Sequence, residues 1–242
     1  MPIALVTGAG VRVGRAIALA LARAGFDLLL HVNSSVQPAE QVAEEIRGLG
    51  RSATVLRANL EDPLGVESLA TAVGRATRVL DLLVHNAGLY EQIPFAEISR
   101  QAYQRMLAVN LDAPFFLTQA LLPALEAAES PLVVHITDVG AERPVVPGYV
   151  HYAVSKAGLL MLTRALALEL APRVRVNAVA PGAVAFPTDF DEERRQEELA
   201  HVPLGREGTV EDIARTVVFL ATQAPYITGQ AINVDGGRSS VL

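Results

Sequence analysis

Cysteine and tryptophan are both missing from this 242-residue chain, and Lys156 is its one lysine. Without cysteine there is no disulfide framework, no thiol nucleophile and no thiolate-bound metal. Positive charge is scarce as well: 20 Lys and Arg stand against 26 Asp and Glu, for a net charge of -6. No basic stripe runs through the sequence, which argues against nucleic acid as a partner. The histidines His31, His85, His135, His151 and His201 lack metal-ligand spacing, so no metal is expected. Apolar stretches are broken by Arg, Asp or Pro before they span a bilayer, and Met1-Pro2-Ile3-Ala4-Leu5-Val6 lacks the features of a signal peptide. The expectation is a cytoplasmic protein with no membrane partner. At 51% hydrophobic, the chain can bury a substantial core as one domain.

Short apolar runs alternate with helix-period segments from end to end. Strands are expected at Ile3–Val6, Phe26–Val32, Thr54–Arg57, Leu80–His85, Leu132–Ile136, Arg175–Val179 and Ala231–Val234. Helices are expected at Arg15–Ala24, Ala39–Gly48, Ser99–Ala127, Tyr152–Leu170 and Val210–Ala221. Continuous Val/Ile/Leu runs mark strands buried on both faces, and β–α alternation marks a parallel sheet with helices on both sides. This predicts an α/β, doubly wound, Rossmann-like sheet of about seven strands in a single domain, 1–242. The charged run Asp189–Glu198 reads as a solvated helix, and residues 183–202 as a candidate lid.

Thr7-Gly8-Ala9-Gly10-Val11-Arg12-Val13-Gly14 follows the first strand and opens the first helix. Glycines there admit a pyrophosphate against backbone, and a helix N-terminus favours its charge. The end of the second strand, Leu30-His31-Val32-Asn33-Ser34-Ser35, carries no carboxylate to take ribose hydroxyls. Amide and hydroxyl groups at His31, Asn33, Ser34 and Ser35, with Arg12 in the neighbouring turn, suit a 2′-phosphate and favour NADPH over NADH. Tyr152 and Lys156 stand four apart on a predicted helix, so phenol and ammonium share a face. An adjacent cation favours the phenolate, which predicts a tyrosine able to give or take a proton near neutral pH.

With His85-Asn86-Ala87-Gly88, Asn110, Tyr152-x-x-x-Lys156 and Pro181-Gly182 added in order, the chain resembles the short-chain dehydrogenase/reductase family over essentially its whole length. The resemblance implies hydride transfer between NAD(P) and a carbonyl or imine-like bond. It implies Tyr152 as proton donor, Lys156 lowering its pKa and holding the nicotinamide ribose, and Asn110 steadying a water. It also implies cofactor contacts from Gly8, Arg12, Val13, Gly14, Asn59, Leu60, Asn86, Ala87, Gly88, Pro181, Gly182 and Val184, and assembly as a homotetramer through the two long helices.

Two residues depart from the common pattern. Asp138, in His135-Ile136-Thr137-Asp138-Val139, occupies the place of the family's serine, with Thr137 the alternative hydroxyl if the register shifts; Arg12 replaces a glycine. Both departures resemble the pteridine reductase branch, which implies reduction of a dihydropterin or dihydrofolate. There Tyr90 would stack on the pterin, while Asp138 and Arg12 would contact it. A second reading is an NADPH-dependent carbonyl reductase such as a 3-oxoacyl-carrier-protein reductase. A third is a non-catalytic cofactor-binding regulator.

Overall fold

The computed structural model describes residues 1–143, 147–186 and 191–240, with only the backbone at Arg194. Seven strands form one parallel sheet: β1 Ile3–Thr7, β2 Asp27–Val32, β3 Ala53–Arg57, β4 Leu82–His85, β5 Leu132–Ile136, β6 Arg175–Pro181 and β7 Ala231–Val234. Their spatial order is β3-β2-β1-β4-β5-β6-β7. Every pair is parallel and in continuous register, for example Leu5 with Leu29 and with Leu83. The order reverses between β1 and β4. At such a switch point the crossovers leave in opposite directions and open a crevice at the carboxyl ends of the strands.

Helices α1 Arg12–Arg23, α2 Val36–Gly48 and α8 Val210–Thr222 cover one face. Ile17, Leu21, Val42, Ile46, Val217 and Leu220 are buried there. Helices α3 Pro63–Ala76, α5 Ala113–Glu126 and α6 Val150–Glu169 cover the other, burying Leu69, Val73, Leu117, Leu121 and Leu125. Each fully buried leucine is worth roughly 1.5–3 kcal/mol of transfer free energy. The central strands β1, β4 and β5 therefore hold the sheet from both sides. Helix α8 starts at a complete capping box between Thr209 and Asp212.

The expected single helix Ser99–Ala127 is instead α4 Arg100–Leu107, a π-helical turn Ala108–Asp112, and α5. The extra residue in that turn directs Asn110 into the protein, where it is buried. By length and composition Arg100–Glu126 is apolar enough to cross a membrane, contrary to the expectation from sequence. In this fold its Met106, Leu117, Leu121 and Leu125 are buried in the protein interior. Helix α3 was absent from the expected helices. Asp62 caps it by accepting from Leu64 N at 3.0 Å and Pro63 occupies its first turn, but a weak apolar stripe disguises it. Within the candidate lid, α7 spans Glu192–Ala200, and residues 187–190 lie outside the described residues.

Candidate active site

The glycine turn is shaped by contacts that exclude a side chain. Gly8 has φ +67°, and a Cβ on Gly14 would sit 2.0 Å from Gly8 O and 2.6 Å from Asn86 Nδ2. Asn86 Nδ2 donates to Thr7 O at 2.9 Å and Gly8 O at 3.2 Å. Thr7 Oγ1 accepts from Asn86 N and Ala87 N, both at 3.0 Å. The turns after β1 and β4 are thereby one unit. No side chain caps α1, so its first-turn N–H groups are left for an anion.

These turns open on a cleft of about 690 Å³. Of the residues expected to hold a cofactor, Gly8, Arg12, Val13, Gly14, His31, Asn33, Ser34, Asn59, Leu60, Asn86, Ala87, Gly88 and Lys156 line it. A long cleft with a side-chain-free turn and uncapped amides midway fits a dinucleotide. His31 holds this wall by accepting from Gly8 N at 3.4 Å through Nδ1, and its Nε2 contacts Ala58 O at 3.2 Å. Burial lowers its pKa to about 4, so it is a neutral structural imidazole rather than a phosphate-binding cation.

Five of the expected contacts have other neighbours in this structure. Ser35 packs its backbone against Gly10, 3.0 Å from where a Cβ would stand, and is not among the residues on the cleft wall. The Arg12 guanidinium donates to Ala185 O rather than to the Asn33–Ser34 corner. Arg57, missed in the sequence, donates to Asn33 O at 3.2 Å and brings a cation to that corner. Its position at the end of the third expected strand was the available signal. Val184 bridges to Gly208 and lines a separate groove of about 780 Å³; Gly182, held by its N–H to Val234 O at 3.1 Å, packs on Asp235, and neither it nor Pro181 is on the cleft wall.

Asp138, Tyr152, Lys156 and Asn110 converge beyond β5. Thr137 turns away, donating to Val179 O at 3.3 Å in the core, so Asp138 alone faces the tyrosine. Tyr152 Oη donates to Asp138 Oδ2 at 2.9 Å, while Asp138 Oδ1 accepts from Gly140 N at 2.7 Å. Burial raises the Asp138 pKa, against the pull of Gly140, Tyr152, Lys156 and Arg238. Burial, and then the Asp138 charge, push Tyr152 well above its ordinary value. The group hydrogen-bonded to the phenol is thus Asp138, with Lys156 further off. Lys156 Nζ donates to Ile136 O at 2.8 Å and stands 5.7 Å from the Tyr152 ring centre. Burial lowers its pKa to about 8.

Asn110 Oδ1 accepts from Leu89 N at 2.7 Å, and Nδ2 donates to Leu89 O and Ser155 Oγ, each at 3.0 Å. Ser155 Oγ in turn donates to Tyr152 O at 2.7 Å. The amide thus ties the strand-β4 loop to the helix that carries the tyrosine. A Cβ on Gly88 would approach Asn110 Oδ1 to 3.2 Å and Lys156 Nζ to 3.6 Å, so the glycine lets the turn after β4 lie close to both side chains.

Next to this cluster is a cavity of about 360 Å³ walled by Tyr90, Asp138, Tyr149 and Tyr152. Tyr90 stacks on Tyr149 at 4.6 Å and 18°, and meets Tyr152 edge-on at 4.9 Å. Tyr149 was not singled out from the sequence, although it stands just three residues before Tyr152. Chemically, the site pairs a proton-bearing carboxyl–phenol couple with flat aromatic walls, open to a dinucleotide cleft.

A family profile described as "Enoyl-(Acyl carrier protein) reductase" matches residues 8–239. The 3-oxoacyl-[acyl-carrier-protein] reductase FabG of Staphylococcus aureus is 38% identical over 239 residues, covering 97% of this chain and 96% of that protein. The 3-oxoacyl-[acyl-carrier-protein] reductase of Synechocystis is 38% identical over 240 residues, with the same coverage. Among solved structures, a metagenomic blue fluorescent protein in complex with NADPH superposes with TM-score 0.92 at 34% identity, covering 98% of this chain and 97% of that one. The angucycline C-6 ketoreductase LanV with bound NADP gives TM-score 0.93 at 32% identity, covering 99% and 96%.

Proposed function

This chain belongs to the short-chain dehydrogenase/reductase family, and from that we propose that it is an NADPH-dependent oxidoreductase acting on a pterin-type ring, a dihydropterin or dihydrofolate. The observation that carries the substrate reading is the 2.9 Å bond from Tyr152 to Asp138, an acid where the family's serine is expected. Burial favours the neutral carboxyl, so the Asp138–Tyr152 couple can hold a proton and deliver it to a ring nitrogen. Lys156 would hold the ribose, and the Thr7–Gly14 turn with the first amides of α1 would hold the pyrophosphate, of a cofactor whose nicotinamide would supply hydride. Arg57, Asn33 and Ser34 make the corner for a 2′-phosphate. Tyr90 and Tyr149 offer the flat walls that a planar heterocycle stacks on. The described parts of the candidate lid, 183–186 and 191–202, are proposed to cover it.

The second reading, reduction of a 3-oxoacyl thioester, is favoured by the names of the 38%-identical relatives. Against it, Asp138 stands where the family's serine would hold the substrate oxygen, and its side chain is engaged by Tyr152 Oη and Gly140 N. The test is NADPH oxidation with dihydrobiopterin, dihydrofolate and an acetoacetyl thioester, for wild type and Asp138→Ser. Pterin turnover that falls about a hundredfold in the variant supports the reading. Thioester turnover alone, unchanged or improved by the serine, refutes it.

Assembly as a cytoplasmic homotetramer belongs to the same reading. Phe115, Phe116, Val154, Met161 and Leu168 are exposed on α5 and α6, apolar surface suited to a second copy. Sedimentation velocity measures it directly.

A further inference from the structure

Two histidines on neighbouring central strands each meet a threonine on a helix that leads to the site. His85 on β4 meets Thr118 of α5, Nε2 to Oγ1 at 2.8 Å. His135 on β5 meets Thr163 of α6, Nδ1 to Oγ1 at 2.8 Å. All four side chains are buried, and the two rings lie 5.1 Å apart, centre to centre. The hydrogens of the second pair are fixed by a third group. Thr163 Oγ1 gives its one hydrogen to Leu159 O at 2.9 Å, so it accepts from His135, and Nδ1 carries the proton. Nε2 keeps a bare lone pair, buried and with no hydrogen-bond partner among the described residues. Burial and then the Lys156 charge hold the ring neutral, with a pKa of about 3. An unpaired buried nitrogen is a cost that an apolar side chain would avoid.

The His135–Thr163 contact is the first of three along the seam between β5 and α6. Next comes Lys156 Nζ donating to Ile136 O at 2.8 Å, and then Tyr152 Oη donating to Asp138 Oδ2 at 2.9 Å. Tyr152, Lys156 and Thr163 follow at helical spacing, so they share the face of α6 that meets β5. Residues 152 and 163 are about three whole turns apart. A rotation of α6 that takes Thr163 off His135 therefore takes Tyr152 off Asp138 as well. Apolar packing sets that rotation only loosely, because leucines surround the helix. Leu159, Leu160 and Leu162 are buried, while Met161 and Leu168 are exposed. A buried polar pair is more exacting, since turning away leaves both groups unpaired.

We propose that His135 is a positioning residue for proton delivery: through Thr163 it fixes the rotation of α6 and thereby the approach of Tyr152 to Asp138. This rests on reading that couple as the proton donor. The flexible Lys156 stem can follow a turning helix and keep its bond, whereas the short His135 and Thr163 side chains cannot. His135 is on the wall of neither the cofactor cleft nor the tyrosine cavity, so its influence on the site passes through the helix.

The test compares His135→Leu and Thr163→Val, which break the contact, with His135→Asn, whose amide N–H can stand where Nδ1 stood. Val133→Ala is the control for a loosened core, since Val133 is buried on the same face of β5. In both breaking variants kcat is expected to fall about tenfold or more, with KM and the NADPH dissociation constant within about threefold of wild type. His135→Asn is expected to keep kcat within about threefold of wild type. Crystal structures are expected to show Tyr152 Oη out of hydrogen-bond reach of Asp138 in the breaking variants alone. An unchanged Tyr152–Asp138 bond in Thr163→Val overturns the proposal, as does a His135→Asn variant no better than His135→Leu. An equal fall of kcat in Val133→Ala marks general loosening and overturns it too. The kcat is read on whichever substrate the wild type reduces. Absence of pterin turnover thus removes the substrate reading, while the crystal structures still decide this one. Should His135→Leu not fold, Thr163→Val carries the measurement.

Discussion

At the cofactor end of the cleft, backbone meets backbone. Gly14 lies where any Cβ would overlap Gly8 O, and Asn86 stitches two neighbouring turns with hydrogen bonds. At the end walled by tyrosines, side chains meet by hydrogen bond and ring contact: Asp138 with Tyr152, Tyr90 with Tyr149. The first arrangement tolerates almost no change of shape but asks little of chemistry. The second keeps its shape under many substitutions and loses its chemistry under a few. One end can therefore stay constant across substrates while the other is retuned.

The sharpest way to separate the ends is Tyr152→Phe. Turnover should fall about a thousandfold with NADPH affinity within about twofold, as stopped-flow and fluorescence titration would record. A matching loss of NADPH binding would mean the two ends are not separable there. Gly14→Ala should do the reverse: NADPH affinity falls about a hundredfold because backbone must move to admit the methyl group. Retained affinity would show that the turn yields more than its packing suggests.

A milder probe is Arg57→Ala, expected to reduce the preference for NADPH over NADH about tenfold while leaving NADH kinetics alone. The smallest effect concerns stability. Burial lowers the pKa of His31 to about 4 and of His135 to about 3, from 6.5. Both are neutral in the fold, and the unfolded chain binds more protons below about pH 6.5. Their contribution is thus complete above that pH and is lost as pH falls towards about 4 and 3. In thermal melts, His135→Leu should flatten the decline between pH 7 and pH 5 by a few degrees, about the shift expected of one group. Parallel curves for variant and wild type would remove His135 from the account.

Much of the cofactor end was legible in the sequence because its determinants are local. A strand, a glycine turn and a helix start follow one another between Ile3 and Arg23, and each leaves a mark of composition. Asp138, Tyr152 and Lys156 were legible as residue types, but only the turn of Thr137 into the core decides which of two neighbours meets the phenol. Arg12 was assigned to the phosphate corner on sequence proximity, whereas its side chain runs to Ala185 and Arg57 fills the corner from another strand. The ion pair between Glu198 and Arg238 left no local trace, since neither residue differs in kind from surface charge. Val184 borders a separate groove, which an apolar residue after a strand does not announce.

The π turn at Ala108–Asp112 has a bearing on how this chain could change over time. The five residues of the wider turn cover about the rotation that four cover in an α-helix, so the face presented by α5 is reached with one residue to spare. Deleting that residue would close the turn to an α-helix and leave Leu117, Leu121 and Leu125 in the core with Phe115 and Phe116 outside. What the deletion would remove is the bulge that carries Asn110, so the surplus residue answers to the site and not to the packing downstream.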